Sequence, residues 1–151
     1  MGHDRKTPNM SLESIGRTHW EGDLVNGSGT TTFDSGAAGP VRVTWKARTE
    51  EHGGLTSPEE LIAAAHASCY SMAFSSRLAK AGHTPTALDT EATATFVPGQ
   101  GITTMVLKVR GNVDGISDED FLALAEDAKL NCPVSQALKG NVEITLDAAL
   151  V

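Results

Sequence analysis

Two cysteines, Cys69 and Cys132, are the residues of this chain best suited to chemistry. Cys69 falls inside an apolar stretch over residues 61–74, and Cys132 stands immediately before Pro133. A thiolate is both a nucleophile and a metal ligand, so such a pair can do redox chemistry, bind a metal or lie buried without reacting. A bond between the two sulfurs needs Cα atoms roughly 4.4 to 6.8 Å apart, which the fold must supply.

The sequence around each cysteine predicts a different acidity. Cys69 lies too far beyond Pro58, the expected helix start, for the N-terminal dipole to lower its pKa, and apolar burial would raise it. Taken alone, a helical cysteine of this kind is an inert buried thiol. Cys132 would be the more acidic, because Pro133 at a helix start puts the preceding sulfur near unpaired N–H groups. The spacing therefore leaves open which cysteine attacks first.

A reactive Cys69 needs a nearby cation, and Arg48 is the leading candidate because a guanidinium keeps its charge. Taken alone, Arg48 could be a solvated strand end, and Glu59 could merely decorate a helix start. Glu59 could instead orient the arginine, but at about 1.5 Å of rise per residue it lies roughly 15 Å from Cys69 along their common helix. We therefore expect a second subunit to bring Glu59 and its arginine to Cys69.

His66 precedes Cys69 by one helical turn and could share a face with it. Together with Cys132, these residues could supply three ligands for zinc or copper, although no paired Cys-x-x-Cys element supports a metal site. A histidine hydrogen-bonded within the core is the simpler interpretation of His66.

The composition excludes several classes of function. The 151 residues predict a polar arm over residues 1–16 and a single domain over residues 17–151. A formal charge of -7 with scattered Lys and Arg gives no basic patch for nucleic acid or anionic lipid. Neither a signal peptide nor a membrane span is expected, so we predict a cytoplasmic protein. Stable structural disulfides are rare there, which favours a redox or metal role for the cysteines.

Hydrophobic patterns and turn residues predict an α+β fold, because strand clusters flank helices without regular alternation. Strands are predicted over residues 17–25, 30–34, 41–47, 86–97, 102–113 and 142–148, and helices over 58–81, from 117 onward and over 133–139. The start of the long helix is well marked, since Ser57 can cap it, Pro58 suits its first position and Glu60 completes a capping box.

The long helix is apolar nearly all the way round between residues 61 and 74. Such a helix needs burial on every side, whereas one sheet covers only one face. We therefore expect a dimer with paired central helices.

Three segments resemble one protein family. The run TSPEELIAAAHASCYSMA over residues 56–73 is similar to the central helix of the osmotically inducible protein C (OsmC) family. NCPVSQAL over residues 131–138 resembles its second cysteine motif, and HWEG over residues 19–22 resembles its first strand. The resemblance extends from about Arg17 to the C-terminus.

The resemblance implies a peroxiredoxin-like enzyme that reduces organic hydroperoxides and, more weakly, hydrogen peroxide. By similarity Cys69 is the peroxidatic cysteine, Cys132 the resolving one, and Arg48 and Glu59 complete the catalytic site. Lys46 and Arg42 are alternative activating cations. No cofactor or metal is implied.

The resemblance also implies a fold and partners. The fold would be an intertwined homodimer in which antiparallel sheets wrap around long central helices and the active sites are shared between subunits. An external dithiol, with dihydrolipoyl groups on lipoylated proteins as the candidate, would restore the thiols. The alternatives are a non-enzymatic redox sensor that uses the same disulfide as a switch, and a zinc- or copper-binding protein.

Overall fold

The computed structural model describes residues 11–151 and confirms the α+β class. Residues 1–10 of the predicted arm lie outside the described part, residues 11–15 have no regular structure, and the first strand begins at Gly16. In chain order the elements are β1 (Gly16–Glu21), β2 (Ser28–Phe33), β3 (Val41–Val43), α1 (Trp45–Thr49), α2 (Pro58–Lys80), β4 (Ala87–Val97), β5 (Gly101–Asn112), α3 (Asp118–Asn131), α4 (Pro133–Leu138) and β6 (Glu143–Leu150).

The strands form two three-stranded sheets, β1-β2-β3 and β4-β5-β6. The first sheet is antiparallel, and β4 and β5 form a long antiparallel hairpin. In contrast to the expected antiparallel sheets, β6 runs parallel to β5, so the second sheet is mixed. The reason is the helical crossover through α3 and α4, which returns the chain to the end of the sheet where β5 began.

The long helix α2 begins and ends within one residue of its predicted bounds. The Ser57 side chain accepts a hydrogen bond from the Glu60 backbone N–H, which caps the N-terminus. Gly82 adopts a φ of 88°, and the His83 N–H donates to the Leu78 carbonyl at 2.8 Å, which is the Schellman arrangement. Local sequence therefore fixes the length of the helix that carries Cys69.

One face of α2 packs into the core of the second sheet and α3. Phe74 lies against Phe121 of α3 with ring centroids 5.0 Å apart, and the Tyr70 hydroxyl donates to the Ala125 carbonyl at 3.0 Å. Leu107 on β5 is fully buried in the same cluster. This packing anchors α3 firmly to α2.

The opposite face of α2 is exposed in the single chain. It carries Ala64, Ala65, Ser68 and Met72, and the Met72 side chain is 75% exposed. This face therefore presents small side chains and the apolar Met72 side chain to solvent. Among the helices of residues 11–151, none combines the length and apolar run needed to span a membrane.

The third strand is shorter than predicted, and this moves Arg48. β3 ends at Val43, after which Thr44 adopts an extended conformation and its hydroxyl accepts from the Ala47 N–H at 3.1 Å. That cap starts α1, so Arg48 lies on a short helix rather than at a strand end.

The first sheet projects from the rest of the chain. All six residues of β1 are exposed. The sheet joins the body through a bridge between Val43 and Thr56, and the Thr56 N–H donates to the Arg42 carbonyl at 2.9 Å. These contacts place α1 beside the first turn of α2.

Gly111→Ala is expected to destabilise the fold by about 1–3 kcal/mol, because overpacking a tight core displaces its neighbours. A Cβ at Gly111 would lie 2.7 Å from the Phe121 ring. The free energy of unfolding in urea measures the loss. Gly16→Ala is the matched control, since its Cβ would approach Thr32 only to 3.9 Å, and an equal loss in both variants would contradict the prediction.

Candidate active site

The fold brings the two cysteines into contact. Cys69 lies in the middle of α2, and Cys132 lies at the junction where α3 ends and α4 begins. Their sulfurs are 3.1 Å apart, both are free thiols, and Cys132 donates its S–H to Cys69. Cys132 is fully buried, whereas Cys69 is half-buried. Two thiols at this separation can form a disulfide, on oxidation, through small side-chain movements.

The pKa of Cys69 is raised by its surroundings. Burial contributes most, the hydrogen bond with Cys132 adds to it, and repulsion between two neighbouring thiolates raises the pKa further. The backbone N–H of Val134 acts in the opposite direction by hydrogen bonding to the Cys69 sulfur. The sequence predicted such N–H contacts for Cys132 instead, but its side chain makes no cap bond at the start of α4. The first turn of α4 therefore donates a hydrogen bond to Cys69 rather than to Cys132.

Arg48 and Glu59 form an ion pair within the chain. Glu59 Oε1 accepts from Arg48 Nε at 2.9 Å and lies 2.7 Å from Nη2, and the carboxylate is almost completely buried. Aromatic rings enclose the guanidinium, which lies 4.1 Å from the Phe96 centroid and 5.8 Å from that of Trp45. Charge and cation–π contacts therefore hold the arginine in one position.

An open cleft of about 260 Å³ adjoins this ion pair. Arg48, His52, Glu59 and Phe96 contribute to its lining. The second carboxylate oxygen, Glu59 Oε2, is buried and has no hydrogen-bond partner within residues 11–151. The cleft therefore places a fixed cation beside the ring of Phe96.

The ion pair and the cysteines are separated along α2 within one chain. Ten helical positions between Glu59 and Cys69 correspond to about 15 Å.

The alternative cations have other partners, since Lys46 pairs with Glu51 at 3.5 Å and Arg42 donates to the Ser28 hydroxyl at 2.9 Å. The contacts that shift the pKa of Cys69 come from Cys132 and Val134, not from an arginine.

His66 occupies the core, as the simpler interpretation predicted. Its Nε2 lies 2.8 Å from the Ser135 hydroxyl, and burial lowers its pKa, which favours the neutral ring. In the part of the chain that the structure describes, no group of three His, Cys, Asp or Glu side chains is arranged to hold a metal.

Sequence reasoning missed three contacts around these residues. They are the Ser135 partner of His66, the Phe96 ring over Arg48 and the Tyr70 bond to α3. The sequence did point to Ser135, because it follows Cys132 by three residues, just as His66 precedes Cys69 by three. Nothing in the sequence pointed to Phe96, since only the fold brings β4 close to α1.

Comparison with known proteins identifies the family. The family model for OsmC-like proteins matches residues 51–147. A relative named Peroxiredoxin OsmC, from Escherichia coli (strain K12), is 44% identical over 144 residues, which cover 93% of this chain and 99% of the relative. The chain belongs to the OsmC family. A more distant relative, Organic hydroperoxide resistance protein OhrA of Bacillus subtilis (strain 168), is 36% identical over 62% of this chain and 67% of its own length.

Solved structures share the OsmC fold. An OsmC-like protein from Mycoplasma pneumoniae superposes with a TM-score of 0.70 at 16% identity, covering 94% of this chain and 99% of its own. An organic hydroperoxide resistance protein OsmC from Legionella pneumophila gives 0.67 at 22% identity, with 91% and 97% covered. This chain therefore shares its overall fold with both proteins.

Arg48→Ala is expected to lower the free energy of unfolding by about 2–3 kcal/mol, because it leaves the buried Glu59 carboxylate unpaired. Arg17→Ala is the matched control. Arg17 forms a bidentate ion pair with Asp34, at 2.9 and 3.0 Å, on an exposed surface. There the expected loss in the free energy of unfolding is below about 1 kcal/mol. Equal losses in urea unfolding would contradict the prediction.

Proposed function

We propose that this protein is a thiol-dependent peroxidase that reduces organic hydroperoxides, and hydrogen peroxide more weakly, to alcohols or water. The contact between the Cys69 and Cys132 sulfurs carries the proposal, because two free thiols 3.1 Å apart can cycle between dithiol and disulfide. The names of the relatives, Peroxiredoxin OsmC and organic hydroperoxide resistance protein, support a peroxidase role.

In the first step the Cys69 thiolate attacks the terminal oxygen of the hydroperoxide. The O–O bond breaks, the alkoxide leaves and takes a proton from water, and Cys69 becomes a sulfenic acid. Cys69 is the attacking residue because its sulfur is half-buried and accepts from Val134, whereas Cys132 is fully buried.

In the second step Cys132, as thiolate, attacks the sulfur of the Cys69 sulfenic acid and hydroxide leaves. A disulfide forms that protects Cys69 from further oxidation. The sulfurs must approach from 3.1 Å to a bond length of about 2.05 Å, a movement that side-chain rotation supplies.

An external dithiol then reduces the disulfide, giving up two electrons and becoming a disulfide itself. A dihydrolipoyl group on a lipoylated protein is the proposed donor, and Cys69 is the more accessible sulfur for its attack. No bound cofactor or metal takes part. The cycle is proposed for the cytoplasm, where thiols are kept reduced.

The activating arginine comes from a second copy of this chain. Because the pKa of Cys69 is raised, a nearby cation is needed to stabilise its thiolate. Within one chain Arg48 is held against Glu59, about 15 Å along α2 from Cys69. The exposed face of α2 with Met72 offers the surface for a partner helix. Pairing two α2 helices antiparallel would bring the Arg48 end of each to the Cys69 of the other.

Cys69→Ser is expected to abolish the dithiol-dependent consumption of cumene hydroperoxide, because it removes the attacking sulfur. Cys132→Ser should instead accumulate a sulfenic acid at Cys69, which dimedone labels and mass spectrometry locates. Sulfenic acid at another residue would reverse the assigned roles. Oxidation of wild-type protein that stops after one turnover, with dithiol present, would indicate a redox sensor instead.

Mixing two inactive variants tests the shared site. In a heterodimer of Cys69→Ser with Arg48→Ala, one site combines Cys69 of one chain with Arg48 of the other, so random mixing should restore about a quarter of wild-type activity. The Arg48→Ala homodimer should show a raised Cys69 pKa, because the cation is gone. Chains unfolded and refolded together are assayed against the separate variants, and a mixture without activity would show that the site is not shared.

A further inference from the structure

A buried hydrogen bond joins the two segments that carry the cysteines. His66 Nε2 and Ser135 Oγ lie 2.8 Å apart, and both side chains are almost completely buried. His66 stands one helical turn before Cys69 on α2, and Ser135 one turn after Cys132 on α4. The bond therefore runs alongside the contact between the two sulfurs.

The helix α4 is held lightly. It has six residues, its N-terminus has no side-chain cap bond, and Ser135 is its buried residue. Of its apolar residues, Val134 packs against the core, whereas Pro133 and Ala137 are exposed, so the apolar surface that fixes α4 is small. Under these conditions a buried hydrogen bond is a large part of what determines the position of α4.

The helix on the other side of Cys132 is anchored independently. Phe121 of α3 packs on Phe74, and Ala125 accepts from the Tyr70 hydroxyl. Cys132 thus lies between a firmly packed helix and a lightly held one. A shift of α4 would move Cys132 away from Cys69.

The hydrogen bonding of His66 is incomplete, which argues against a packing role alone. Its Nδ1 is buried and has no partner within residues 11–151, and burial of an unpaired polar atom is unfavourable. An apolar side chain of similar size would fill the site without that cost. What His66 adds is a directed bond to Ser135.

We propose that the His66–Ser135 hydrogen bond is a positioning device that holds Cys132 at attack distance from Cys69. This deepens the proposed function and rests on it. The Cys69 sulfenic acid has two fates. Attack by Cys132 expels hydroxide and gives the disulfide, whereas reaction with a second hydroperoxide releases alcohol and gives the sulfinic acid, which is not readily reversed. Holding Cys132 in place makes disulfide closure the faster reaction.

Ser135→Ala is expected to slow disulfide closure about tenfold, because the loss of one positioning bond lets α4 shift. Formation of the sulfenic acid should slow less than closure does, since Cys69 itself stays on α2 and only the Val134 N–H bond to its sulfur depends on α4. Reduced protein is mixed with excess cumene hydroperoxide, quenched with dimedone and N-ethylmaleimide, and the sulfenic, disulfide and sulfinic forms of Cys69 are counted by mass spectrometry over time. The sulfinic fraction should rise as closure slows.

Ser71→Ala is the matched control. Ser71 lies two residues from Cys69 on the same helix and bonds Thr90 on β4 at 2.7 Å, so its loss removes a comparable hydrogen bond that does not reach α4. Closure should keep its wild-type rate in this variant. The double variant His66→Leu with Ser135→Ala should close no more slowly than the slower single variant, because one bond is lost in every case.

A second measurement is independent of peroxide chemistry. In dithiothreitol buffers the equilibrium constant for the Cys69–Cys132 disulfide reports how closely the protein holds the two thiols, and Ser135→Ala should lower it about tenfold. If wild-type protein forms no sulfenic acid at Cys69, the proposed function fails while this equilibrium still tests the positioning. The positioning proposal is overturned by an unchanged equilibrium constant, by wild-type closure in Ser135→Ala, or by equal slowing of both steps.

Discussion

A straight helix determines how this site can be built. Because α2 is continuous from Pro58 to Lys80, Glu59 at its first turn and Cys69 at its middle cannot meet within the same chain. The ion pair fixes Arg48 at the Glu59 end. The chain therefore carries a thiol pair and a fixed cation at two points of one continuous helix. In the proposed function they are the two halves of one reactive centre.

The two parts of the proposed centre differ in their surroundings. Around the cysteines, burial and the neighbouring thiol raise the pKa of Cys69, and Val134 offsets this only in part. Around the cation, Glu59 occupies Nε and Nη2, while the Phe96 ring covers one face of the guanidinium. In the proposed dimer, the donors on Nη1 would meet the Cys69 thiolate of the other chain.

The sequence predicted what local chemistry decides. Ser57 and Gly82 mark the ends of α2 with caps that depend on neighbouring residues, and both were found as expected. The motif around Cys132 likewise placed α4 correctly at Pro133. Contacts made only by the tertiary fold were not predictable in this way. Thr44 ended β3 early by capping α1, and β6 joined its sheet in parallel because two helices intervene.

The proposed separation of the two halves makes reactivity depend on assembly. In a lone chain burial raises the pKa of Cys69, which disfavours the reactive thiolate. A partner helix on the exposed Met72 face would both cover that surface and deliver the arginine. Because one contact surface does both, a newly made chain would be protected from oxidation until it has paired, and the paired protein would gain its nucleophile in the same event.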